Sequence, residues 1–581
     1  MKRIVIFFTI ALVCAGIGWA AYEAALRPAP PLSGYVPSGA LLYLEAKDFS
    51  ALLADWNSSA EKRQWLATSN YEAFSRSRLF LRLKDASDEF AAAAGFPPNM
   101  NFLSQAAGTR SALALYDIGN LEFLYITYLP SAKSGQTTLW QTRAKFEPRS
   151  AGGISFYVRR DPESQREVAF AVSGDYLLLA TREDLLAGAL QLISENQNPN
   201  QGPSKNRAIE SEQWWSQSVS SAGPAGDLRM VMDLEKIVPS PYFRTYWVQQ
   251  NITEMKQYSA AVSDLFRSSK QNREERVLIR KTVPPTIATA GPGAEEGMAA
   301  AAGLVRLVPD SASIYETRAN PSADFCFDLI ETKLLAPHPG PAPASEVAPQ
   351  VQLTSGETGT GSDLETRIDQ PVVARSVTPQ TASALQGLFN KTQILASLQL
   401  QSTGRDQDGV FIRIHSAIVL VGASEWNEPD IQTALTSFVR PGLTASEYGI
   451  AWQQKSGYSE LDGLWPLGAS VRGNYLILAD DPALIEAMLA NFNRKPDLHP
   501  AVFVAGFNHE HEQANFARFS GVIDRPNLAQ SNMPGMEREP QLFSENIASL
   551  SATLAGISEE KITVRTEGDK VLQTVTYEWS K

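Results

Sequence analysis

Hydrophobic and polar positions follow the same order at two places in the chain, 299 residues apart. Val172–Ala180 and Val471–Ala479 each consist of an apolar run, a Gly-Asp or Gly-Asn pair and a second apolar run. Glycine adopts the positive φ of a tight turn, and Asp or Asn tolerates the next position, so each stretch predicts a β-hairpin. The recurrence predicts that the chain is a tandem repeat.

An amphipathic helix is predicted directly after each hairpin. Asp481 followed by Pro482 is typical of a helix start, and Thr181 is the candidate N-cap of the first helix. The two copies share eight identities in nineteen positions from Val172 onward, at turn and core positions, which indicates shared architecture rather than a shared active site. The apolar positions have equal spacing in both copies: Leu185, Leu186, Ala189, Leu190 and Ile193, then Leu484, Ile485, Met488, Leu489 and Phe492.

The remaining elements are predicted from alternating or helical periodicity. Strands are expected at Ala40–Glu45, Ser111–Tyr116, Glu122–Leu129, Leu228–Leu234, Arg276–Lys281, Ala501–Phe507, Lys561–Thr566 and Val571–Trp579. Phe49–Phe96 predicts two or three helices. Two long helices are expected, one through Val248, Ile252, Met255, Val262 and Phe266 and its counterpart through Ile547, Leu550, Leu554 and Ile557. Strands mostly neighbour their sequence partners and helices come in blocks, which predicts an α+β fold with mainly antiparallel sheets.

A chain of 581 residues is too long for one core and divides by composition. The predicted parts are a signal anchor and stalk start at 1–27, a first α+β repeat at 28–282, a linker at 283–303 and a second α+β repeat at 304–581. Within the second repeat, 337–375 is rich in Pro, Ser, Thr and Gly and has no aromatic residue, so we expect a disordered insertion there.

The first residues have the pattern of a membrane anchor. Lys2 and Arg3 precede the uncharged stretch Ile4–Ala21, which as a helix would extend about 27 Å, close to the thickness of a bilayer core. Its length favours an uncleaved anchor over a cleaved signal peptide. Because the positive end stays in the cytoplasm, we expect a single-pass inner-membrane protein with the bulk of the chain in the periplasm.

Charge and cysteine usage narrow the possible partners. The net charge of −12 argues against nucleic acid, since binding of phosphates needs a basic surface. Of the two cysteines, Cys14 lies in the apolar N-terminal segment and Cys326 is alone in the rest of the chain. No disulfide is available outside the membrane, so packed cores must stabilise the exported part.

The candidate metal ligands are His509 and His511 in the run His-Glu-His-Glu. If the strand Ala501–Phe507 continued, both imidazoles would share one face and could bind a metal together with a carboxylate from elsewhere. The spacing is not the i, i+4 of a zinc-protease helix, which favours a polar loop. The corresponding place in the first half, Glu235-Lys236, has no histidine, so we expect no metal or other cofactor.

Signatures of nucleophilic catalysis and of phosphate binding are missing from the sequence. There is no Gly-x-Ser-x-Gly elbow and no Walker lysine motif. His415 lies on an apolar strand, where a structural histidine is the simpler interpretation than a catalytic base. These observations favour a non-enzymatic protein.

Three tryptophans are candidates for a ligand or partner surface. Trp214-Trp215 is either an aromatic platform for glycan or lipid or a helix anchor in the core, and large aromatics are mostly buried for packing. Trp452 is the second-half candidate for lining a groove between the repeats.

The opening strand motif Val-Pro-x-x-Ala-x-x-Tyr (Val36–Tyr43), the Gly-Asp-Tyr-Leu hairpin and the anchor together resemble a family of uncharacterised bacterial exported, membrane-anchored proteins, catalogued as a domain of unknown function. The resemblance covers nearly the whole exported part and transfers no catalytic residue. It implies a membrane-anchored envelope protein.

We therefore expect a non-enzymatic binding or scaffolding protein of the cell envelope, held in the membrane by its N-terminal helix, with an envelope protein or lipid as partner. The alternative is that a lipid, peptide or glycan binds in a groove between the two repeats. A third hypothesis is a metal-dependent envelope hydrolase that uses His509 and His511.

Overall fold

The computed structural model of the protein forms two compact units. Unit 1 comprises the described parts of Met1–Ala54 and Leu83–Ser220, and unit 2 those of Asp55–Arg82 and Ser221–Lys581. The described residues are 31–67, 69–197, 207–241, 255–282, 293–335, 383–405, 412–443, 451–461, 467–496, 499–512 and 556–579.

Unit 1 is built on an antiparallel sheet with the strand order β1-β2-β3-β7-β6-β5-β4. Its strands are β1 (Leu42–Ala46), β2 (Ser111–Asp117), β3 (Glu122–Tyr128), β4 (Glu147–Ala151), β5 (Ile154–Arg160), β6 (Glu167–Ser173) and β7 (Tyr176–Ala180).

Unit 2 also has antiparallel pairs, in the order β8-β9-β10-β20-β19-β18-β11-β12-β13-β17-β16-β15-β14. Its strands are β8 (Leu228–Asp233), β9 (Tyr258–Arg267), β10 (Gln271–Arg280), β11 (Ile314–Ala319), β12 (Ile394–Arg405), β13 (Ile412–Gly422), β14 (Trp452–Gln454), β15 (Ser459–Leu461), β16 (Leu467–Arg472), β17 (Tyr475–Ala479), β18 (Phe503–Asn508), β19 (Ile557–Glu567) and β20 (Lys570–Trp579).

Helices accompany both sheets, which confirms the α+β fold class with antiparallel sheets. The region Phe49–Phe96, where the sequence predicts two or three helices, contains four. The described α-helices are Phe49–Ser58, Ala60–Leu66, Ser69–Ser75, Arg78–Ala94, Met100–Ala106, Ser131–Ser134, Thr138–Gln141, Glu183–Gln197, Gln213–Ser221, Leu234–Ile237, Gly293–Leu304, Ala323–Ile330, Ser383–Lys391, Glu428–Leu443 and Pro482–Ala490.

The strand order of unit 1 recurs within unit 2. The run β1-β2-β3-β7-β6-β5-β4 has the same connectivity as β11-β12-β13-β17-β16-β15-β14. The pairing of the first strands also agrees, since Tyr43 faces Ala114 across β1 and β2, and Tyr315 faces Leu400 across β11 and β12. Strands β8, β9 and β10 belong to unit 2, where β10 pairs with β20 along its length.

Both predicted hairpins are present. In the first hairpin, β6 and β7 are antiparallel, and Ser173 pairs with Tyr176 next to the turn. In the second, β16 and β17 are antiparallel, and Arg472 pairs with Tyr475 next to the turn. Gly174 and Gly473 have φ of 57° and 59° in the two turns, a conformation that costs glycine little because it has no Cβ.

The helices after the hairpins are confirmed, with one correction. Asp481 caps Pro482–Ala490 by accepting a hydrogen bond from the backbone of Ala483. Thr181 is not the cap of the first helix, because Glu183–Gln197 begins two residues later. Its hydroxyl oxygen instead accepts a hydrogen bond at 2.9 Å from the backbone N–H of Phe123, near the start of β3.

Separate apolar cores stabilise the two units. In unit 1, Phe170, Leu177 and Leu179 from β6 and β7 pack with Phe102 and Leu139 from the neighbouring helices. In unit 2, one core lies between β13, β16 and β17 and the helices Ala323–Ile330, Ser383–Lys391 and Glu428–Leu443, and a second contains the helices Gly293–Leu304 and Pro482–Ala490.

The predicted long helix is wrong at Val262 and Phe266. These residues lie in β9, where Val262 pairs with Val231 of β8 and with Val277 of β10. Residues four apart share a face in a strand as well as in a helix, so the spacing could not separate the two structures. Ile557 likewise begins β19 rather than ending a helix.

The predicted linker 283–303 is wrong at its end, because Gly293–Leu304 is a helix. Its alanines have the highest helix propensity, and Ala301 and Leu304 are buried in the core of unit 2. The small side chains that resemble linker composition therefore allow the helix to lie close to β11 and β12.

Several predictions fall outside the described residues: the anchor at 1–27, the insertion at 337–375, and the helical positions Val248, Ile252, Ile547, Leu550 and Leu554. Across the part of the chain that the structure describes, no helix combines the length and apolar character needed to span a bilayer.

Candidate functional site

Unit 1 contains a polar cleft of about 600 Å³ beside the ends of β2 and β3. It is closed by the start of the helix Phe49–Ser58, the end of the helix Met100–Ala106 and the segment after β3. The lining residues are Ser50, Ser104, Gln105, Ala107, Gly108, Thr109, Tyr128, Leu129, Pro130, Lys133, Gln136 and Thr137.

A buried hydroxyl network contacts Gly108, one of the lining residues. The fully buried Thr127 accepts a hydrogen bond from the backbone N–H of Gly108 at 3.0 Å, and its hydroxyl lies 2.6 Å from that of Ser111. Tyr125 donates to the carbonyl of Ala106 at 3.0 Å. Burial raises the pKa of Tyr125, so this phenol stays a donor at neutral pH. Its bond to Ala106 holds the adjoining loop at 107–110, the cleft loop, to the sheet.

Gly108 has no space for a side chain. A Cβ there would lie 2.1 Å from the carbonyl oxygen of Tyr128 and 2.3 Å from the hydroxyl oxygen of Thr127. The close approach allows the loop to form backbone hydrogen bonds with β3, between Thr109 N–H and Tyr128 O at 3.2 Å. Glycine at this position therefore permits the close approach of this loop to β3.

The repeated hairpin positions the opposite wall. Asp175, in the turn between β6 and β7, accepts a hydrogen bond from the backbone of Leu129 at 2.8 Å and, through its carboxylate, one from that of Ser131 at 3.2 Å. Further along the wall, the side-chain carbonyl of Gln105 accepts hydrogen bonds from the backbone and hydroxyl of Thr138, both at 2.9 Å. These contacts hold the segment after β3 in place.

Asp48 fixes the start of the helix Phe49–Ser58, which carries the lining residue Ser50. Its carboxylate accepts hydrogen bonds from the backbone of Ala51 at 2.9 Å and the hydroxyl of Ser50 at 2.7 Å. These two bonds lower the pKa of Asp48, which is the usual effect of donors to an ionised carboxylate. Ser50 also donates its backbone N–H to Gly108 O at 3.0 Å, so the helix start and the cleft loop are joined.

The rim carries an aromatic ring and a cation. Tyr128 is 38% exposed, and its ring packs edge to face against Tyr176 at 5.8 Å. Lys133 is exposed and is the charged residue among the twelve that line the cleft. The lining therefore offers hydroxyls, side-chain amides, one ammonium group and one phenol ring, and contains no His, Asp, Glu or Cys. Such a set can bind a polar ligand, and it lacks a paired acid and base.

His509 and His511 belong to unit 2 and are not among the residues that line this cleft. β18 ends at Asn508, and the next four residues form a helical turn in which Asn508 accepts from the backbone of His511. The two imidazoles therefore do not continue the strand face. His509 is half-buried against Phe507, with its Nε2 3.7 Å from Glu560, and His511 is exposed. Within the described ranges, no three His, Cys, Asp or Glu side chains are grouped to hold a metal ion.

His415 and Cys326 both lie in unit 2. His415 Nδ1 lies 3.6 Å from the carboxylate of Asp480, which also accepts from the backbone of Ser416 at 2.8 Å. Cys326 is a free thiol in the core, and burial raises its pKa to about 12.

The candidate tryptophans lie outside the cleft. Trp215 is in the core of unit 1, edge to face with Tyr43 at 4.8 Å, and Trp214 is half-buried and donates its indole N–H to Glu212. Trp452 packs against a core cluster of unit 2 and donates to Thr436 at 2.9 Å. The indole N–H groups of Trp214 and Trp452 thus each have a protein partner.

Sequence reasoning predicted β2, β3 and the hairpin around Gly174, which form the frame of the cleft, and missed the cleft residues. Tyr128 and Lys133 belong to no motif, and the lining residues come from three separate stretches of the chain, at 50, 104–109 and 128–137. The available signal was Gly108 between predicted elements, which marks a turn or a close approach without distinguishing them.

Comparison with known proteins gives no family. No family model matches the chain, and no curated protein matches it. Similar solved structures include crystal forms I and IV of TP0453, with 12% and 13% sequence identity and a TM-score of 0.23 each. They cover 44% and 43% of this chain and 81% of the TP0453 chain. A likeness of this size supports no conclusion about fold or function.

Proposed function

We propose that the protein is a non-enzymatic binding protein of the cell envelope, anchored in the inner membrane by residues 1–27, whose ligand site is the cleft of unit 1. The sequence is the evidence for the anchor, since Lys2 and Arg3 precede eighteen uncharged residues. The observation that supports binding most directly is the cleft itself, which combines fixed polar groups with an exposed ring and has no acid–base pair in its lining.

Among the ligand classes considered, a glycan fits the cleft best. A lipid chain requires apolar walls, whereas the lining of this cleft includes Ser50 and Gln136, whose side chains can donate and accept hydrogen bonds. Tyr128 offers an amphipathic ring face on the rim. Lys133 adds a cation that suits an acidic sugar.

We also infer that the halves of the chain are related repeats. The common strand order supports this, and so do equivalent side-chain contacts. Thr181 accepts from the backbone of Phe123 at 2.9 Å, at the start of the β3–β7 pairing. Asp480 accepts from the backbone of Ser416 at 2.8 Å, at the start of the β13–β17 pairing. Thr181 and Asp480 are 299 positions apart, which is the offset between the repeats. The same hydrogen bond is therefore formed by a threonine in the first repeat and by an aspartate in the second.

In the described part of the second repeat, the segment after β13 is held differently. In the place of Asp175, Asn474 accepts from the backbone of Gly422 at 2.8 Å and from the indole N–H of Trp426 at 2.9 Å. Trp426 is buried, so the segment after β13 packs into the core. The repeats thus share a frame, and the proposed ligand site is a property of the first.

Binding is tested by titrating the full chain in detergent with soluble fragments of envelope glycan, followed by calorimetry. Truncation of a central aromatic contact typically costs more than about 1 kcal/mol, so Tyr128→Ala should weaken binding by about tenfold. Tyr128→Phe keeps the ring and serves as the matched control, with an expected change below about threefold. No binding by the wild type, or equal binding by Tyr128→Ala and wild type, would disprove the proposal.

A further inference from the structure

The helical segment Trp56–Arg82 in unit 2 leaves its apolar residues unusually accessible. Within it, no residue whose side chain the structure describes is buried. Trp56, Leu66 and Leu81 are 44%, 46% and 48% exposed. A surface helix of a globular protein normally buries one apolar face, so these helices lack the cover that such a face has.

A small aromatic cluster holds these helices to one another. Trp65 packs edge to face against Tyr71, and Phe74 against Phe80, at 6.3 and 5.5 Å between ring centres. Tyr71 and Phe80 join the two pairs at 6.3 Å. These four aromatic side chains therefore contact one another. Trp56, Leu66 and Leu81 remain exposed.

The same segment is basic in an acidic protein. It contains five basic residues and two acidic ones, a net charge of +3 within a chain whose total is −12. Glu72 is paired with Arg76 one turn away. Lys62 donates to the side chain of Asn57 and Arg63 to the backbone of Ser58, so neither cation is neutralised by these contacts. The charge therefore favours an anionic partner.

We propose that Trp56–Arg82, the basic helical surface, docks on an anionic lipid bilayer. Trp and Leu side chains insert at the boundary between head groups and acyl chains, and Lys and Arg on the polar side attract acidic head groups. The inference rests on exposure and charge in unit 2 and does not depend on the cleft or on the N-terminal anchor. It adds a second membrane contact, one that lies along the surface.

The test uses the full chain reconstituted into two kinds of vesicle, phosphatidylcholine alone and phosphatidylcholine with phosphatidylglycerol. Any insertion of the N-terminal segment is common to both, so the comparison isolates head-group charge. Hydrogen exchange resolved by peptide reports on residues 56–82, and the hairpin around Gly174 is the internal reference. Each basic residue near an anionic surface contributes about fivefold to partitioning, so exchange in 56–82 should slow more than about tenfold in the anionic vesicles.

Two variants separate the apolar and charged contributions. The triple change Trp56→Ser, Leu66→Ser and Leu81→Ser should abolish the difference between the vesicles, and so should Lys62→Glu with Arg63→Glu. The matched controls are Ile414→Ser, at a similarly exposed apolar residue, and Lys270→Glu with Lys495→Glu, at exposed lysines. Both controls should keep the wild-type difference. Exchange of the variants in detergent shows whether the helices still form.

Salt gives an independent check, because about 0.5 M salt shortens the screening length to about 4 Å and should remove most of the protection. Equal exchange of 56–82 in both kinds of vesicle would overturn the proposal. So would protection that requires an added envelope protein and occurs without anionic lipid, since that would make the partner a protein.

Discussion

The carboxylate of Asp175 accepts a hydrogen bond from the backbone N–H of Ser131 at 3.2 Å, and so joins the repeated hairpin to the wall of the cleft. Asp175→Ala removes this acceptor and should lower the stability of unit 1 by about 1 kcal/mol, because the contact is charge-assisted and exposed. Amide exchange of the β6–β7 peptides in increasing urea measures unit 1 alone.

Asp175→Asn keeps an acceptor oxygen and should lie within about 0.5 kcal/mol of the wild type. The second copy carries Asn474 at this position, where the backbone acceptor is retained. If alanine were tolerated as well as asparagine, the side chain would have no role in positioning the wall.

Gly108→Ala should destabilise unit 1 by about 2–3 kcal/mol and impair glycan binding. The new Cβ would meet the carbonyl of Tyr128 at 2.1 Å, and backbone cannot move aside as a flexible side chain can. The shift in the urea midpoint of the β2 and β3 peptides measures the effect.

Gly387→Ala is the control for that substitution. Gly387 lies within the helix Ser383–Lys391, and its Cβ would have no atom within 4 Å. Alanine there should stabilise the protein by up to about 1 kcal/mol through helix propensity. Loss of stability confined to Gly387→Ala would contradict the contacts described for both sites.

Asp264→Asn should cost about 3–5 kcal/mol in unit 2, because it leaves a largely buried guanidinium without its carboxylate. Asp264 is buried and binds Arg229 through both oxygens, at 2.8 and 2.7 Å, and also accepts from the backbone of Gly226. The decrease in the unfolding temperature of unit 2, monitored by amide exchange of the β8–β9 peptides, measures this loss of stability.

The matched exposed pair is Arg76–Glu72, where Glu72→Gln should change stability by less than about 0.5 kcal/mol because water screens both groups. A small loss of stability in Asp264→Asn together with a large loss in Glu72→Gln would contradict this prediction, because the buried pair should contribute more than the exposed pair.

Cys326 should resist thiol reagents in the folded protein. Burial raises its pKa to about 12, so at pH 8 only about one thiol in ten thousand is ionised, and the thiolate is the reactive form. In a Cys14→Ser background, labelling should be slow in buffer and complete in guanidinium chloride.

The pKa of Cys326 also sets the sign of a pH effect. A thiol whose pKa is higher in the folded than in the unfolded state contributes stability that is present below the unfolded value, near 9, and is lost as the pH rises toward 12. Comparison of the unfolding midpoints of Cys14→Ser and Cys14→Ser/Cys326→Ala from pH 8 to 10 should show a steeper loss when Cys326 is present. Rapid native labelling at pH 8 would show that the thiol is accessible.

The sequence by itself determined the local elements of this fold. Gly174 and Gly473 predicted the two hairpins, because the tight turns need a residue with positive φ. Asp481-Pro482 predicted the start of a helix. Short-range backbone preferences suffice for such features, and they also support α+β as the fold class.

Only the tertiary structure decided the features that depend on partners distant in the chain. Val262 spaced four from Phe266 suits a helix or a strand, and pairing with β8 and β10 made it a strand. The alanines of Gly293–Leu304 formed a helix because sheet strands lie beneath them. The cleft brings together Ser50, Gln105, Tyr128 and Lys133, which come from three separate stretches of the chain. No local sequence pattern predicts that these residues lie close together, because their positions depend on packing throughout the unit.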